Sequence, residues 1–260
     1  MNLTETKMVE LLKELGEKYS VVGVKAEFEA EGTRTEELMR LKEICLASST
    51  SLTLKIGGCE AVRDMYDARA IGVDHLVAPM IETPFALSKY LKAIDTAFPE
   101  DEQGSVEFLI NIETIGAAEN FADMLKIDGI EKLNGIVVGR SDLIGSMGLD
   151  KKEINSRRVL DITKDILTKA KGAKMTAVVG GTISVSSLPF LKELSGGLLD
   201  RYETRKVCFS CDDALKGDPA GGLTKALAFE LLWLQNKQNY YKTISEEDNK
   251  RICSLMERCK

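Results

Sequence analysis

EFLINIE, residues 107–113, alternates with a period of two: Phe108, Ile110 and Ile112 fall on one face, Asn111 and Glu113 on the other. VVGVKAEFE, residues 21–29, does the same, with Val22, Val24, Ala26 and Phe28 opposite Lys25, Glu27 and Glu29. In LTLKIG, residues 52–57, Leu54 and Ile56 stand opposite Lys55. A parallel sheet covered on both sides reads as apolar on both faces. Here three strands carry charge on one face, toward their C-terminal halves. Unpaired buried charge costs several kcal/mol, so these groups must be paired, bound to metal or turned toward a wet cavity. In an α/β barrel that cavity is the mouth at the carboxyl ends of the strands. The pattern predicts a barrel with a polar, functional C-terminal face.

Outward from these stretches, short β-branched runs alternate with amphipathic ones. Further strands are expected at His75–Met80, Gly135–Gly139, Thr176–Val179 and within Leu199–Phe209. Helices are expected at Glu36–Ala47, Ala61–Ile71, Pro84–Ala97, Ala117–Leu125, Arg157–Lys171 and Ser187–Leu194. Leu223–Asn239 reads as a long helix, followed by a polar tail whose end, Glu247–Cys259, is again helical. This order implies βαβ units and a parallel sheet, open or closed. Neither GxGxxG nor GxxxxGK[ST] stands between a strand and a helix, which removes the commonest signatures of open nucleotide-binding sheets. Seven strands can be placed; the eighth cannot.

The 260 residues match the roughly 250 that one barrel takes, and no linker divides them. The expectation is a single (β/α)8 TIM-type barrel over residues 1–260, with an N-terminal helix in 1–20 and a C-terminal helical extension in 223–260. With 44% hydrophobic and 29% charged residues the composition is globular. A net charge of -6 leaves no electrostatic footprint for nucleic acid. No apolar run approaches the roughly 20 residues of a membrane span. The first twenty residues read as an amphipathic helix rather than a signal peptide, so a cytoplasmic location is expected. The six cysteines are expected to be reduced there; Cys208 and Cys211 have CxxC spacing, but no second pair accompanies them and the flanking VCFSC reads as strand.

Two segments carry a resemblance. VEFLINIETIGAAENF (residues 106–121) and IDGIEKLNGIVVGRSDLIGSMG (residues 127–148) resemble the HpcH/HpaI aldolase and citrate lyase β-subunit superfamily. In that family one strand ends in I-E-T, here Ile112-Glu113-Thr114. The next ends in F-x-G-x-x-D-L, here Val138-Gly139-Arg140-Ser141-Asp142-Leu143. Leu54-Lys55-Ile56-Gly57-Gly58 and Val77-Ala78-Pro79-Met80 fall where the family has a V-R-x-N strand and a strand ending in P-K or P-M. The resemblance implies a divalent metal, Mg²⁺ or Mn²⁺, held by Glu113 and Asp142. It also implies a 2-oxo acid chelated there while a metal-stabilised enolate forms, and an oligomer in which the C-terminal end is exchanged between subunits. Backbone amides around Gly139, Arg140, Ser141 and Asp142 would help hold the substrate carboxylate. The plainer reading of the two carboxylates is a salt-bridged Glu113 and a helix-capping Asp142.

The chain departs from the family pattern in two places. Lys55 stands where the family uses Arg to grip the substrate, and Lys lacks the planar bidentate fork. Lys55 is either that substrate cation or the ion-pair partner of Glu27 or Glu29. The single histidine, His75, begins its strand and so belongs to the stability end of the barrel, not the mouth. A general base would have to be Glu27, Glu29 or Lys25; Lys25 or Lys55 could alternatively form a Schiff base. Arg34, Glu203 and Arg205 are loop charges that could reach the mouth, Arg205 as a candidate for substrate binding; the plainer reading of each is a solvated or ion-paired loop residue. Aromatic and aliphatic residues cover much of the circumference of the last helix (Leu227, Phe229, Leu231, Leu232, Trp233, Leu234), which predicts a homo-oligomer.

The leading functional expectation is a metal-dependent carbon–carbon lyase of aldolase type, acting on a small carboxylate such as a 2-oxo acid, or on an acyl thioester. The alternatives are a lysine- or carboxylate-based isomerase or Schiff-base enzyme, and a non-catalytic barrel serving as a binding or assembly subunit.

Overall fold

A computed structural model describes residues 1–259. Helix α1 (Leu3–Tyr19) leads into β1 (Val21–Glu27), followed by α2 (Thr35–Ser48), β2 (Ser51–Lys55), α3 (Val62–Ile71) and β3 (His75–Ala78). Then come α4 (Pro84–Ala97), the short α5 (Glu100–Gln103), β4 (Glu107–Ile112), α6 (Ile115–Met124) and β5 (Gly135–Gly139). The second half holds α7 (Arg140–Ser146), α8 (Arg157–Gly172), β6 (Thr176–Gly180), α9 (Leu188–Lys192), β7 (Arg201–Glu203), β8 (Val207–Ser210), α10 (Cys211–Lys216) and α11 (Pro219–Arg258). The strands close into an eight-stranded barrel in sequence order, as the alternation predicted.

The eighth strand lies inside the stretch expected to hold only the seventh. Three residues, Thr204, Arg205 and Lys206, join β7 to β8. A parallel crossover needs a dozen residues or more, so this connection makes a hairpin and β8 runs backward. It pairs antiparallel with both β7 and β1, while the other six ladders are parallel. Thr204 fixes the turn: its backbone N–H donates to the Val207 carbonyl (2.9 Å) and its Oγ1 accepts from the Val207 N–H (3.1 Å).

The outward faces of the strands meet the helices in one large core, with Val24, Ala26, Leu54, Ile110, Ile112 and Val138 fully covered. Inside the barrel, Val77, Leu109, Val137 and Val178 form a separate apolar layer. It divides the polar mouth from a second polar level containing Thr53, His75 and Arg201. Reversal of β8 returns the chain to the barrel's lower end, from which α11 climbs beside α1. The expected helix and helical tail are one continuous helix of 40 residues, about 60 Å long. Phe229 and Trp233 pack into the chain's own core, while Leu227, Leu231 and Leu234 stay exposed and residues 242–259 are exposed throughout. Among the described residues no helix is long and apolar enough to cross a membrane.

His75 sits at the lower end, as its place at the strand's start implied. Its Nδ1 contacts Thr53 Oγ1 (3.1 Å), and Arg201 Nη1 donates to its Nε2 at 2.8 Å. Burial, and then the Arg201 charge, lower its pKa below the ordinary 6.5, against the opposing pull of Glu107. A histidine held neutral by the fold contributes stability that is present above the unfolded value and lost as pH falls through the folded one. Melting temperature should therefore fall below pH 6.5, and His75→Gln should remove that part of the acid slope; identical slopes would show that the fold leaves the protonation of His75 unchanged.

Candidate active site

The carboxyl ends of the strands surround a cavity of about 380 Å³. Its lining includes six carboxylates (Glu27, Glu29, Glu113, Asp142, Glu203 and Glu230) and three cations (Lys25, Lys55 and Arg205). A larger cavity of about 600 Å³ lies between the starts of α1 and α2 and the body of α11. Its buried acids are already engaged, Glu5 by Arg40 and Glu37 by Lys237 and Tyr241. The chemistry-bearing groups gather in the smaller cavity.

Alternation along β1, β2 and β4 places Lys25, Glu27, Lys55, Asn111 and Glu113 in one interior, as the sequence predicted. Lys25 Nζ bridges Glu203 Oε1 (2.6 Å) and Glu27 Oε1 (3.0 Å), tying β1 to β7 across the reversed strand. Burial alone would lower its pKa; the charges of Glu203 and Glu27 outweigh that and hold the ammonium above the usual lysine range. The same ammonium holds the Glu27 carboxyl below its usual range, against the raising effect of burial.

Lys55 Nζ lies between Glu29 Oε2 (3.2 Å) and Glu113 Oε2 (3.5 Å). Burial opposes its charge, but Glu113, Glu29 and Glu27 together raise its pKa. The paired carboxylates thus favour the ammonium form of both Lys25 and Lys55, whereas a Schiff base requires the free amine. Of the alternatives for Lys55, the ion pair is present, with Glu29 and Glu113 as partners.

Glu113 is 1% exposed. Asn111 Nδ2 donates to its Oε2 (2.7 Å) and the Met80 backbone N–H to its Oε1 (3.0 Å). Burial pushes its pKa up, assisted by the nearby Asp142 charge and only partly offset by Lys55, Met80 and Asn111. Met80 holds a left-handed backbone with φ 52°, rare outside glycine, and so does Thr182 with φ 50°. Such outliers cluster at functional sites. Gly139 lies directly against Glu113, where an added Cβ would stand 2.7 Å from Oε2.

Asp142 is exposed, in the first turn of α7, and makes no ion pair among the described residues. It does not cap the helix: the cap position belongs to Gly139. Ser141 Oγ shares a hydrogen bond with Thr182 Oγ1 at 2.9 Å, and Arg205 pairs with Glu31 on the rim.

The Arg140 side chain has a role of its own, separate from the one expected of its backbone amide. Its guanidinium is fully buried and turned away from the mouth. It donates to the carbonyls of Gly180 (3.2 Å) and Gly181 (2.9 Å) and to Asn155 Oδ1 (2.8 Å), and it stacks on Phe190. Burial pushes its pKa down to about 10, which leaves it charged at neutral pH. The guanidinium fastens the loop after β6 beneath α7. Arg34 also faces elsewhere, over the Tyr241 ring.

A sequence profile for the HpcH/HpaI aldolase/citrate lyase family matches residues 47–185, just over half of the chain. The chain belongs to this family. Similar solved structures include the HpcH/HpaI aldolase from Desulfitobacterium hafniense DCB-2, with TM-score 0.62 and 11% identity over 78% of this chain and 83% of that one. An HpcH/HpaI aldolase/citrate lyase family protein from Burkholderia cenocepacia J2315 gives 0.60 at 13% identity, over 95% and 92%. The citrate synthase SbnG gives 0.61 at 14% identity, over 89% and 90%. At such identities the structures establish the shared barrel. No curated protein matches the sequence at a significant level. The matched region contains Lys55, Glu113 and Asp142; Lys25, Glu27, Glu203 and Glu230 lie outside it.

Sequence reasoning missed Glu230 and Leu227, which α11 brings to the mouth, and the Met80 N–H on Glu113. No local pattern signals Glu230, because its place depends on the path of a whole helix.

Removing Lys25 would leave Glu27 and Glu203 buried without a counter-charge, a loss of about 3 kcal/mol or more for a broken buried pair. Lys25→Met should lower the unfolding free energy by that order in urea titration. A change within experimental error would mean that water replaces the ammonium.

Proposed function

We propose that this chain is a lyase of aldolase type, making or breaking a carbon–carbon bond beside a 2-oxo acid or acyl thioester, with Mg²⁺ or Mn²⁺ held by Glu113 and Asp142. The observation that carries the reading is the charge of the mouth: six carboxylates against three cations. A carboxylate substrate is repelled from such a cavity unless a cation accompanies it. Glu113 is under-compensated and Asp142 has no cationic partner among the described residues, so the residues present fit a hard divalent ion. Among the described residues no three acidic, His or Cys side chains converge as a closed cage. That accords with Mg²⁺, which is commonly held by one or two carboxylates with water and substrate oxygens. When bound, the ion would supply Lewis-acid polarisation of the substrate's oxo group.

The remaining work falls to the chain itself. Asn111 and the Met80 N–H orient Glu113. Lys55 is the cation nearest Glu113 and offers its ammonium to the substrate carboxylate. Glu29, 3.2 Å from Lys55 and a third exposed, is the best-placed proton acceptor. Glu27, held ionised by Lys25, is the weaker base. Ser141 and Arg205 line the same cavity and offer a hydroxyl and a guanidinium to the second substrate. The ion pairs of Lys25 and Lys55, the two lysines that line the cavity, favour this route over Schiff-base chemistry.

A melting curve with EDTA, Mg²⁺ or Mn²⁺ tests the reading. Native-state binding at a hundredfold excess over Kd adds about 2.7 kcal/mol of stability. We expect a rise of several degrees in the wild type, a further rise with pyruvate, and neither in Glu113→Gln or Asp142→Asn. A wild-type curve indifferent to both metals and to pyruvate rules the reading out.

We also propose a homo-oligomer built through the far end of α11, supported by Ile244, Ile252, Leu255 and Met256, each 45–64% exposed. Ending the chain at Tyr241 should lower the number of subunits per particle in sedimentation or light scattering while leaving the monomer's helical signal proportionate to its length. An unchanged subunit number would place the interface elsewhere.

A further inference from the structure

Lys55 holds two carboxylates of unequal character. Its Nζ is 3.5 Å from Oε2 of Glu113, whose side chain is 2% exposed, and 3.2 Å from Oε2 of Glu29, whose side chain is 33% exposed. The first lies deep in the barrel and the second near the opening. A divalent ion on Glu113 and an ammonium touching the same carboxylate are like charges at contact distance. That repulsion weakens the hold of Glu113 on either cation while the other is present.

Resting on the metal reading above, we infer that Lys55 is a tethered competitor of the metal: its ammonium neutralises Glu113 while the ion is absent and withdraws toward Glu29 when the ion binds, so that metal must bind before a carboxylate ligand.

Three observations support this inference. Glu113 is covered on nearly every side, and Lys55 is the only ion-pair partner it has among the described residues. Glu29 lies on β1's side of the cavity, nearer the opening, and already holds the ammonium at 3.2 Å, so Lys55 keeps a counter-charge when it leaves Glu113. The side chain is a lysine: a point charge on a flexible four-carbon stem can move between two single oxygens, whereas a guanidinium fork would lock onto one carboxylate through two bonds. Once Lys55 has left Glu113, Glu29 is its one remaining ion-pair partner, and an incoming carboxylate meets an ammonium with donors to spare. Without metal, the same carboxylate meets a lysine already engaged twice in a net-acidic cavity. Lys55 is here a positioning residue for the metal, distinct from its contact with substrate.

Titration calorimetry on chelator-treated protein, with MnCl₂ and MgCl₂ and then pyruvate, distinguishes the outcomes. Lys55→Met should bind Mn²⁺ about tenfold more tightly or better, the direction set by removing a like charge at contact range. Its apo form should melt lower and gain more from metal than the wild type does. Pyruvate added to the metal-loaded variant should bind more weakly. Lys55→Arg, which keeps the charge and guards against a misfolded Met variant, should bind metal no better than the wild type. Glu29→Gln leaves the ammonium to Glu113 alone and should weaken Mn²⁺ binding, and that loss should vanish in Lys55→Met/Glu29→Gln. Equal or weaker metal binding in Lys55→Met overturns the inference and leaves the metal reading standing. A Glu29→Gln loss that persists in the double variant means Glu29 acts through its own field, and also overturns it. If neither the wild type nor any variant binds metal, both readings fall together.

Discussion

Buried charge without a partner is the constraint from which the rest of this barrel follows. Four carboxylates and two lysines on β1, β2, β4 and β7, or just beyond them, face an interior whose middle layer is wholly apolar. Each lysine bridges two acids, Lys25 joining Glu27 to Glu203 and Lys55 joining Glu29 to Glu113. These bridges fix the strand ends relative to one another, and they use up the cationic charge available on the wall. Asp142 and Glu230 are left with no ion-pair partner among the described residues, so the cavity's unspent charge is negative. Its capacity to attract a metal ion comes from that remainder.

The two bridges differ in what they hold. Lys25 spans the place where the barrel's parallel order breaks, and it is locked by short contacts to both neighbours. Lys55 spans β2, the loop after β1 and the end of β4 at longer range, with one of its acids near the opening. The first is suited to closing the sheet and the second to rearranging. Arg140 adds rigidity on the far side: by tying Gly180 and Gly181 to the start of α7 it fixes the loops that flank Ser141 and Asp142.

Much of this was legible in the sequence because a strand imposes a period of two. Once Ile110 and Ile112 are assigned to the core, Asn111 and Glu113 have nowhere to point but inward, and the same holds for Lys25, Glu27 and Lys55. The rule stops where the strand stops. Gly139 ends β5 and α7 begins at Arg140, so strand alternation no longer applies, and the Arg140 side chain turns down into the body. The eighth strand was hidden for another reason. Its hairpin turn, Thr204-Arg205-Lys206, contains no Gly, Asn or Pro, and two strands of three and four residues carry too little pattern to separate. The long C-terminal helix was visible as a helix, but not the contribution of Glu230 and Leu227 to the mouth, which follows from the reversal of β8.

That reversal has a consequence for how the protein is made. The seam of the barrel pairs Val21, Gly23 and Val24 with Phe209, Cys208 and Val207, at opposite ends of the sequence. During synthesis β1 must wait, one edge unpaired, until nearly the whole sheet has left the ribosome, and Lys25 has only Glu27 for company until Glu203 arrives. Pairings so distant in sequence are slow to form and leave an aggregation-prone edge exposed meanwhile. The alternating charges of β1, read above as the mark of a functional mouth, also make that waiting edge a poor template for another strand.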